Sequence, residues 1–134
     1  QVMEAPVTIA LFTDTDLQKR ARKIARVGGV KNFTDEQLQY FMQNLPAEFA
    51  RYDAQQTSDY LALNAGLVAM NLVLALTDQG IGTNIILGFD KSKINEVLDI
   101  EERFRPEVLI TVGYAAEKVE PSYRLPVDEI IDKR

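Results

Sequence analysis

The 134-residue sequence contains no cysteine, no histidine and no tryptophan. The lack of cysteine excludes disulfides and thiolate redox chemistry. Lacking histidine as well, the sequence has no Ser-His nucleophile, no His general base and almost none of the ligands that zinc prefers. Any chemistry that this chain performs must therefore use carboxylates, lysine, tyrosine, backbone groups or a bound cofactor.

Positive charge is also in short supply. Fifteen Lys and Arg residues face twenty Asp and Glu residues, giving a net charge of −5 and a pI near 4.8. This balance argues against a nucleic-acid partner, which needs a basic face. The length, with 46% hydrophobic and 26% charged residues, predicts one domain spanning residues 1–134.

The first third of the chain predicts a strand followed by helices. Residues 7–12 form a short apolar run typical of a strand covered on both faces, and residues 18–27 form a helix capped by Thr13 to Asp16 and ended by Gly28-Gly29. Five cations lie on this helix. We interpret them as a solvated face and not as an anion site, because they spread around the helix without aromatic neighbours; they are Lys19, Arg20, Arg22, Lys23 and Arg26.

A helical excursion is predicted over about residues 30–56. Thr34 and Gln37 have the spacing of a capping box, so a second helix begins there. Pro46 then interrupts this helix and begins a new turn from Ala47 to Tyr52.

A long uncharged helix is predicted over residues 58–79 and ends at Gly80. It is apolar on nearly all sides and rich in Ala and Gly, so a second backbone can approach closely. We expect a homodimer interface on this helix and no membrane span, because the run contains Asn64 and Asn71 and lacks flanking Lys or Arg.

The last third predicts two strands and a short helix. The strands cover residues 84–87 and 107–114, the latter after Pro106, and Asp90 is the expected N-cap of a helix over residues 91–98. Buried strands need neighbours on both edges, so we expect at least one further strand beyond those the sequence supplies.

Protein-borne catalytic groups are not evident. Gly80-Ile81-Gly82 ends a helix and does not begin one, so it is no phosphate-binding loop. Glu101 and Glu102 are expected to be solvated, and Asp14 and Asp16 to cap a helix and not to bind a metal. An enzyme with no catalytic side chains needs a cofactor that carries the reaction.

Three segments, taken in order, resemble one family. They are residues 71–76 on the long helix, the stretch Gly80 to Asp90, and Ser122-Tyr123-Arg124-Leu125-Pro126. Their order and spacing resemble the nitroreductase family of FMN-dependent NAD(P)H oxidoreductases. The resemblance implies an α+β, three-layer fold, with a central sheet flanked by helices and a long buried helix at a dimer interface.

The same resemblance assigns candidate FMN-binding residues. Backbone groups of Ile86, Leu87 and Gly88 are implied to contact the N5 and O4 edge of the flavin, although many members carry an acidic residue where this chain has Leu87. The family's C-terminal Lys-x-Arg pair, which holds the FMN phosphate, falls on Ser122 and Arg124. Arg124 keeps a bidentate phosphate contact, whereas Ser122 offers only a neutral hydrogen bond.

The resemblance also implies how much of a subunit is present. Family members begin with an Arg-rich FMN-binding segment, and none precedes Gln1. We therefore expect a truncated subunit, the C-terminal two thirds of a nitroreductase-like protein. Its homodimer would use the helix over residues 58–79 and a C-terminal segment, about residues 121–134, that crosses to the partner.

The function implied is hydride transfer from NAD(P)H through FMN to a nitroaromatic, quinone or flavin acceptor by a ping-pong route, in the cytoplasm. One alternative is a non-catalytic dimeric or ligand-binding module that keeps the fold without tight flavin binding. Another is a small acidic protein-interaction domain, which explains the charge but not the motifs.

Overall fold

The computed structural model describes residues 2–28, 33–117 and 122–132. In chain order its elements are β1 (Val7–Asp14), α1 (Leu17–Gly28), α2 (Asp35–Phe49), α3 (Ala54–Asp78), β2 (Gly82–Ile86), α4 (Ile94–Val97), β3 (Phe104–Gly113) and α5 (Val127–Ile130).

The three strands form one antiparallel sheet in the order β1-β3-β2. Ile110 of β3 is opposite Ile9 of β1 on one side and Ile85 of β2 on the other. The central position of β3 explains its apolar run, because a strand with neighbours on both edges and a helix on one face has little contact with water. Since β1 and β2 both run antiparallel to β3, their carboxyl ends lie at the same edge of the sheet.

Strand β3 begins three residues earlier than the sequence predicted and includes Pro106. A bulge makes this possible: Leu11 pairs with Val108 and Phe12 with Pro106, so no residue of β1 stands opposite Glu107 in the backbone pairing. Pro106 lies beyond the last residue of β3 that pairs with β2, so its missing amide removes no bond on that side. The bulge also changes the direction of the Glu107 side chain.

The core lies between α3 and one face of the sheet. Ala69, Val108 and Ile110 are its buried centre, and Ile110 is completely buried. Around them pack partly buried apolar side chains from β1, α3 and β3, namely Ile9, Leu11, Leu72, Val73 and Val112. The predicted close approach of a second backbone to the small residues of α3 is thus used, in part, by the sheet itself.

Helix α3 begins four residues before the predicted range of 58–79. Asp53 is the N-cap and forms a capping box with Gln56: the Gln56 amide donates to Asp53 Oδ1 over 2.7 Å, and the Asp53 amide donates to Gln56 Oε1 over 3.0 Å. The Asp-x-x-Gln spacing that signals this start is present in the sequence. Gly80, with φ of 73°, follows the C-cap Gln79, as predicted.

The face of α3 opposite the sheet is exposed and apolar. Leu63, Leu67, Met70 and Leu74 are 52–64% exposed and recur at the spacing of one helical stripe. We call them the α3 outer stripe. With a mean hydropathy of 1.7 over 18 residues, α3 is long and apolar enough to cross a membrane by length and composition alone. Because its other face packs on the sheet, we keep the prediction of a protein interface.

Helix α2, which lies in the predicted excursion, packs against α1. The Lys19 amide donates to Asp16 Oδ1 over 3.0 Å, so Asp16 caps α1 as expected. The Thr34 capping box is also confirmed. Pro46, however, does not interrupt α2, which continues through it to Phe49. Pro46 removes one helical hydrogen bond because it has no amide hydrogen, and its buried ring contributes packing instead.

The five cations of α1 are not spread around the helix as the sequence analysis supposed. Arg20 pairs with Asp14, Nε to Oδ2 over 2.9 Å, on one flank. The other four occupy successive i, i+3, i+4 and i+7 positions on the side opposite buried Leu17 and Ala21. We call Lys19, Arg22, Lys23 and Arg26 the α1 basic stripe.

The close packing at the end of β3 gives a first stability prediction. A Cβ placed on Gly113 would lie 2.8 Å and 2.9 Å from ring carbons of Pro6. A proline ring moves little, so we expect Gly113→Ala to cost about 1–3 kcal/mol of unfolding free energy, measured by urea denaturation. Gly88→Ala is the matched control, because a Cβ there meets nothing within 4 Å; equal midpoints for the two variants would contradict the prediction.

Candidate functional site

An apolar cavity of about 320 Å³ lies between α3 and the carboxyl end of β2. Small side chains on α3 create the cavity, because they fill little of the space beside the helix backbone; they are Ala62, Ala65, Gly66 and Ala69. The other walls are Met70, Ile85, Leu87, Lys91, Glu107 and Val108. Only Lys91 and Glu107 carry charge, so the cavity suits a flat, mainly apolar ligand held by few polar contacts.

The predicted flavin-edge residues lie beside this cavity. Ile86 is the last residue of β2, and Leu87 lines the cavity while remaining 67% exposed. After it the chain turns, with the Phe89 amide donating to the Leu87 carbonyl over 3.1 Å. This turn places Gly88 at the surface, where a Cβ would meet nothing within 4 Å.

The Gly88 amide is a free donor in this turn. Within residues 2–28, 33–117 and 122–132, it makes no hydrogen bond. An unpaired amide next to open space can donate to an electronegative ligand atom, and the lack of a side chain lets a flat ring approach the backbone. These are the two properties that the resemblance requires of this residue.

A polar network that the sequence analysis missed borders the cavity. Glu107 Oε1 accepts hydrogen bonds from Thr13 Oγ1 over 2.5 Å and from Arg105 Nε over 2.7 Å. The Arg105 guanidinium also donates to Ser58, through Nη1 to Oγ over 2.8 Å and through Nη2 to the carbonyl over 3.1 Å. The network joins the first turns of α3 to β1 and β3, and so fixes the end of the helix that forms the cavity wall.

No local signal in the sequence identifies this network. The sequence predicts Glu107 only as the first residue of the strand over 107–114, and in the structure its side chain is 10% exposed. Its burial depends on the β3 bulge and on contact with Thr13, a residue 94 positions away. Charged side chains this deeply placed are normally paired, as this one is with Arg105.

Asp90 is not the N-cap that the sequence predicted. Helix α4 begins at Ile94, and its N-cap position is Lys93 with no side-chain cap bond. Asp90 Oδ1 instead accepts from the Ser92 hydroxyl over 2.6 Å and from the Ser92 amide over 3.0 Å, and these bonds lower the pKa of its carboxyl. The Lys91 ammonium lies 5.9 Å from the centre of the Phe89 ring.

Ser122 and Arg124 are not brought to the cavity within the part of the chain described. Both are exposed, and Arg124 Nη1 donates to the neighbouring Tyr123 carbonyl over 2.9 Å. The segment around them presents apolar side chains to solvent, including Tyr123 at 80% and Val127 at 62% exposure. The predicted phosphate role of these two residues stays a prediction, and residues 121, 133 and 134 of the predicted crossing segment lie outside the described residues.

Three of the four carboxylates set aside in the sequence analysis have structural partners. Asp14 pairs with Arg20, and Asp16 caps α1. Glu101 is 73% exposed at its side chain and pairs with Arg103 over 3.2 Å. Glu102 is also exposed. Within the described residues there is no group of three or more Asp, Glu, His or Cys side chains that could hold a metal ion.

Comparison with known proteins identifies the family. The profile of the Nitroreductase family matches residues 2–114, which is most of the chain. The chain therefore belongs to the nitroreductase family, and its fold is the α+β, nitroreductase-like fold that the resemblance implied.

Individual relatives agree along the whole chain. Spy0809 of Streptococcus pyogenes serotype M6, whose name contains the term NAD(P)H nitroreductase, is 63% identical over 134 residues. The crystal structure of a nitroreductase family protein from Streptococcus pneumoniae TIGR4 is 85% identical, with a TM-score of 0.93 over 100% of this chain and 67% of that one. A structure from Exiguobacterium sibiricum 255-15, solved in complex with FMN, is 27% identical, with a TM-score of 0.89 over 99% of this chain and 64% of that one.

The match is to part of each relative. The chain spans 66% of the length of Spy0809 and 64% of two curated relatives from Bacillus subtilis.

Proposed function

We propose that this chain forms the flavin-edge side of an FMN-dependent oxidoreductase that uses NAD(P)H to reduce a nitroaromatic, quinone or flavin acceptor by a ping-pong route. FMN, when bound, supplies the hydride-accepting and hydride-donating chemistry. The chain's own residues bind the ring edge, exclude water and hold the acceptor. We further propose that the protein acts in the cytoplasm.

The free amide of Gly88 carries this proposal. It lies beside open space at the end of β2, next to an apolar cavity, and a flat ring that covered this amide would exclude the water that competes for its hydrogen bond. The FMN complex of the Exiguobacterium sibiricum relative supports FMN as the ligand. The proposal assigns to Ile86, Leu87 and Gly88 the contact with the N5 and O4 edge.

The exposed faces support a homodimer as the binding unit. The α3 outer stripe and the apolar side chains of the C-terminal segment present large hydrophobic groups to solvent, and such patches mark interfaces. A second copy packed on α3 would cover this stripe and close the open side of the neighbouring cavity. We propose that each bound FMN lies at this interface.

The apolar walls of the cavity favour a small flat acceptor. Leu87, Ile85 and Met70 offer hydrophobic contact, whereas a hydrated or highly charged acceptor would lose solvation there without a partner for each charge. Nitroaromatics, quinones and flavins meet this requirement. With one cavity to share, nicotinamide and acceptor would occupy it in turn, as in a ping-pong route.

One observation favours the alternative of a ligand-binding module without tight flavin binding. Ser122 stands where the resemblance requires a lysine, and Arg124 contacts only a neighbouring backbone carbonyl within the described residues. The two functions differ in flavin retention: an oxidoreductase keeps FMN through desalting and is reduced by NAD(P)H, and a non-catalytic module does neither.

Arg124→Ala tests the function. After incubation with FMN and desalting, we expect the wild type to retain a visible flavin band and the variant to bind FMN about tenfold to a hundredfold more weakly, since a charge-assisted phosphate contact contributes about 1.5–3 kcal/mol. Arg51→Ala is the matched control, because Arg51 is exposed and pairs only with Glu48 among the described residues. Equal flavin retention in all three proteins would remove Arg124 from the site.

A further inference from the structure

The α1 basic stripe is unusual in an acidic chain. Its four cations are exposed on a helix that contains no acidic residue, and within the described residues none of them has an ion-pair partner. Because the whole chain carries −5 and the stripe +4, the rest of the chain carries −9. Positive charge is thus concentrated at one place, whereas solvated helices usually mix both signs.

This arrangement weakens the helix on its own. Lys19 and Lys23, and likewise Arg22 and Arg26, are like-charged neighbours at i and i+4, and each such pair destabilises an isolated helix. A negatively charged ligand bound to the stripe would offset the repulsion between these cations. The stripe spans seven residue steps, about 10 Å along the helix axis, so it fits an extended ligand with several phosphates and not a single anion.

The stripe begins at the same edge of the sheet as the candidate site. β1 and β2 end at the same edge of the sheet, and α1 leaves β1 there while the Ile86 to Gly88 segment leaves β2. Thr15, just before α1, and Lys91, just after the flavin-edge segment, line one shared groove, whose other charged walls are Arg105 and the carboxylates of Glu96, Asp99 and Glu102. An extended ligand that leaves the site along this groove would therefore reach the base of α1, and its anionic groups would be repelled by these carboxylates and attracted by the stripe beyond them.

We propose that the α1 basic stripe binds the phosphate groups of the reduced nicotinamide dinucleotide and favours NADPH over NADH. The inference rests on the proposed function for the identity of the dinucleotide. The 2′-phosphate of NADPH adds about −1.5 to −2 of charge to the diphosphate shared by both dinucleotides. A long polyanion such as nucleic acid is disfavoured, since it would also meet the −9 of the rest of the chain.

The test compares two double variants that remove the same residue types. Lys23→Gln/Arg26→Gln lies on the stripe, and Lys93→Gln/Arg51→Gln removes two exposed cations elsewhere. With FMN-loaded protein at low ionic strength, we expect the stripe variant to raise the KM for NADPH about fivefold, with kcat and the KM for NADH changed less than twofold. The control variant should behave as wild type, and added salt should reduce the difference.

A binding measurement separates this inference from the proposed function. Adenosine 2′,5′-diphosphate carries the distinguishing phosphate without a nicotinamide, and its affinity can be measured by calorimetry on protein without flavin. Binding that weakens about fivefold in the stripe variant and not in the control supports the inference, even for a protein that fails to retain FMN. Absence of binding at low salt, or equal affinity in both double variants, would overturn it whatever the flavin result.

Discussion

Leu67→Glu is expected to give a monomeric protein that no longer retains FMN. Leu67 is 63% exposed at the middle of the α3 outer stripe, flanked one turn away on each side by Leu63 and Met70. In the proposed dimer the stripe is buried against a second copy, so the variant would place an unpaired carboxylate in an apolar interface. Such a charge costs about 3 kcal/mol or more, which raises the dimer Kd more than a hundredfold.

Sedimentation velocity and the flavin absorption band of the same sample measure the two effects. Val97→Glu is the control, because Val97 is 73% exposed on α4, away from the stripe, and gains the same charge. We expect the control to stay dimeric and yellow. The folded state of Leu67→Glu should persist, since the core side of α3 is untouched, and circular dichroism checks this. A Leu67→Glu protein that sediments as a dimer would refute the proposed interface.

Local elements of the fold were predictable because their signals are local. The Thr34 capping box, the apolar runs of β1 and β3 and the helix end at Gly80 each depend on residues within one or two turns. The start of α3 is equally local, because Asp53 and Gln56 have the spacing of a capping box, whereas the predicted start at residue 58 follows the uncharged run instead. Both ends of α3 are therefore specified by residues close to them in sequence.

The strand order could not be predicted in the same way. Pairing of β1 with β3 joins residues about a hundred positions apart, such as Val7 and Val112, and no short-range pattern specifies which strands become neighbours. The same distance explains why Pro106 was placed outside β3. A proline in a central strand is unfavourable unless a bulge and the end of the second neighbour coincide with it, and both conditions are tertiary.

The candidate site divides along the same line. Ile86, Leu87 and Gly88 were identified through the resemblance, and the structure places them beside an apolar cavity. The Arg105 and Glu107 network beside that cavity was not identified, because its burial arises only when β1, β3 and α3 meet. The basic stripe shows an intermediate case: its i, i+3, i+4 and i+7 spacing is local and readable, but the absence of carboxylate partners is known only from the fold.

Gly88→Val is expected to abolish tight FMN binding while leaving the fold as stable as the wild type. The backbone at Gly88 is not in the left-handed region, and a Cβ there meets nothing within 4 Å, so valine is accommodated by the chain itself. Its methyl groups would fill the open space through which a flat ring approaches the Gly88 amide. Loss of that hydrogen bond and of close packing should weaken FMN binding at least about thirtyfold, near 2 kcal/mol.

Two variants of the same turn make the effect specific. Gly88→Ala adds one carbon and should produce a smaller loss of affinity, and Leu87→Ala removes an exposed side chain while keeping the backbone amides. Flavin fluorescence titration gives the three affinities, and urea denaturation should give unfolding free energies that agree within about 0.5 kcal/mol. If Gly88→Val binds FMN as tightly as the wild type, the ring does not approach this turn, and the contact with the N5 and O4 edge must be sought elsewhere in the subunit. A graded loss from alanine to valine, with Leu87→Ala unaffected, would instead fix the flavin edge against the backbone of Gly88.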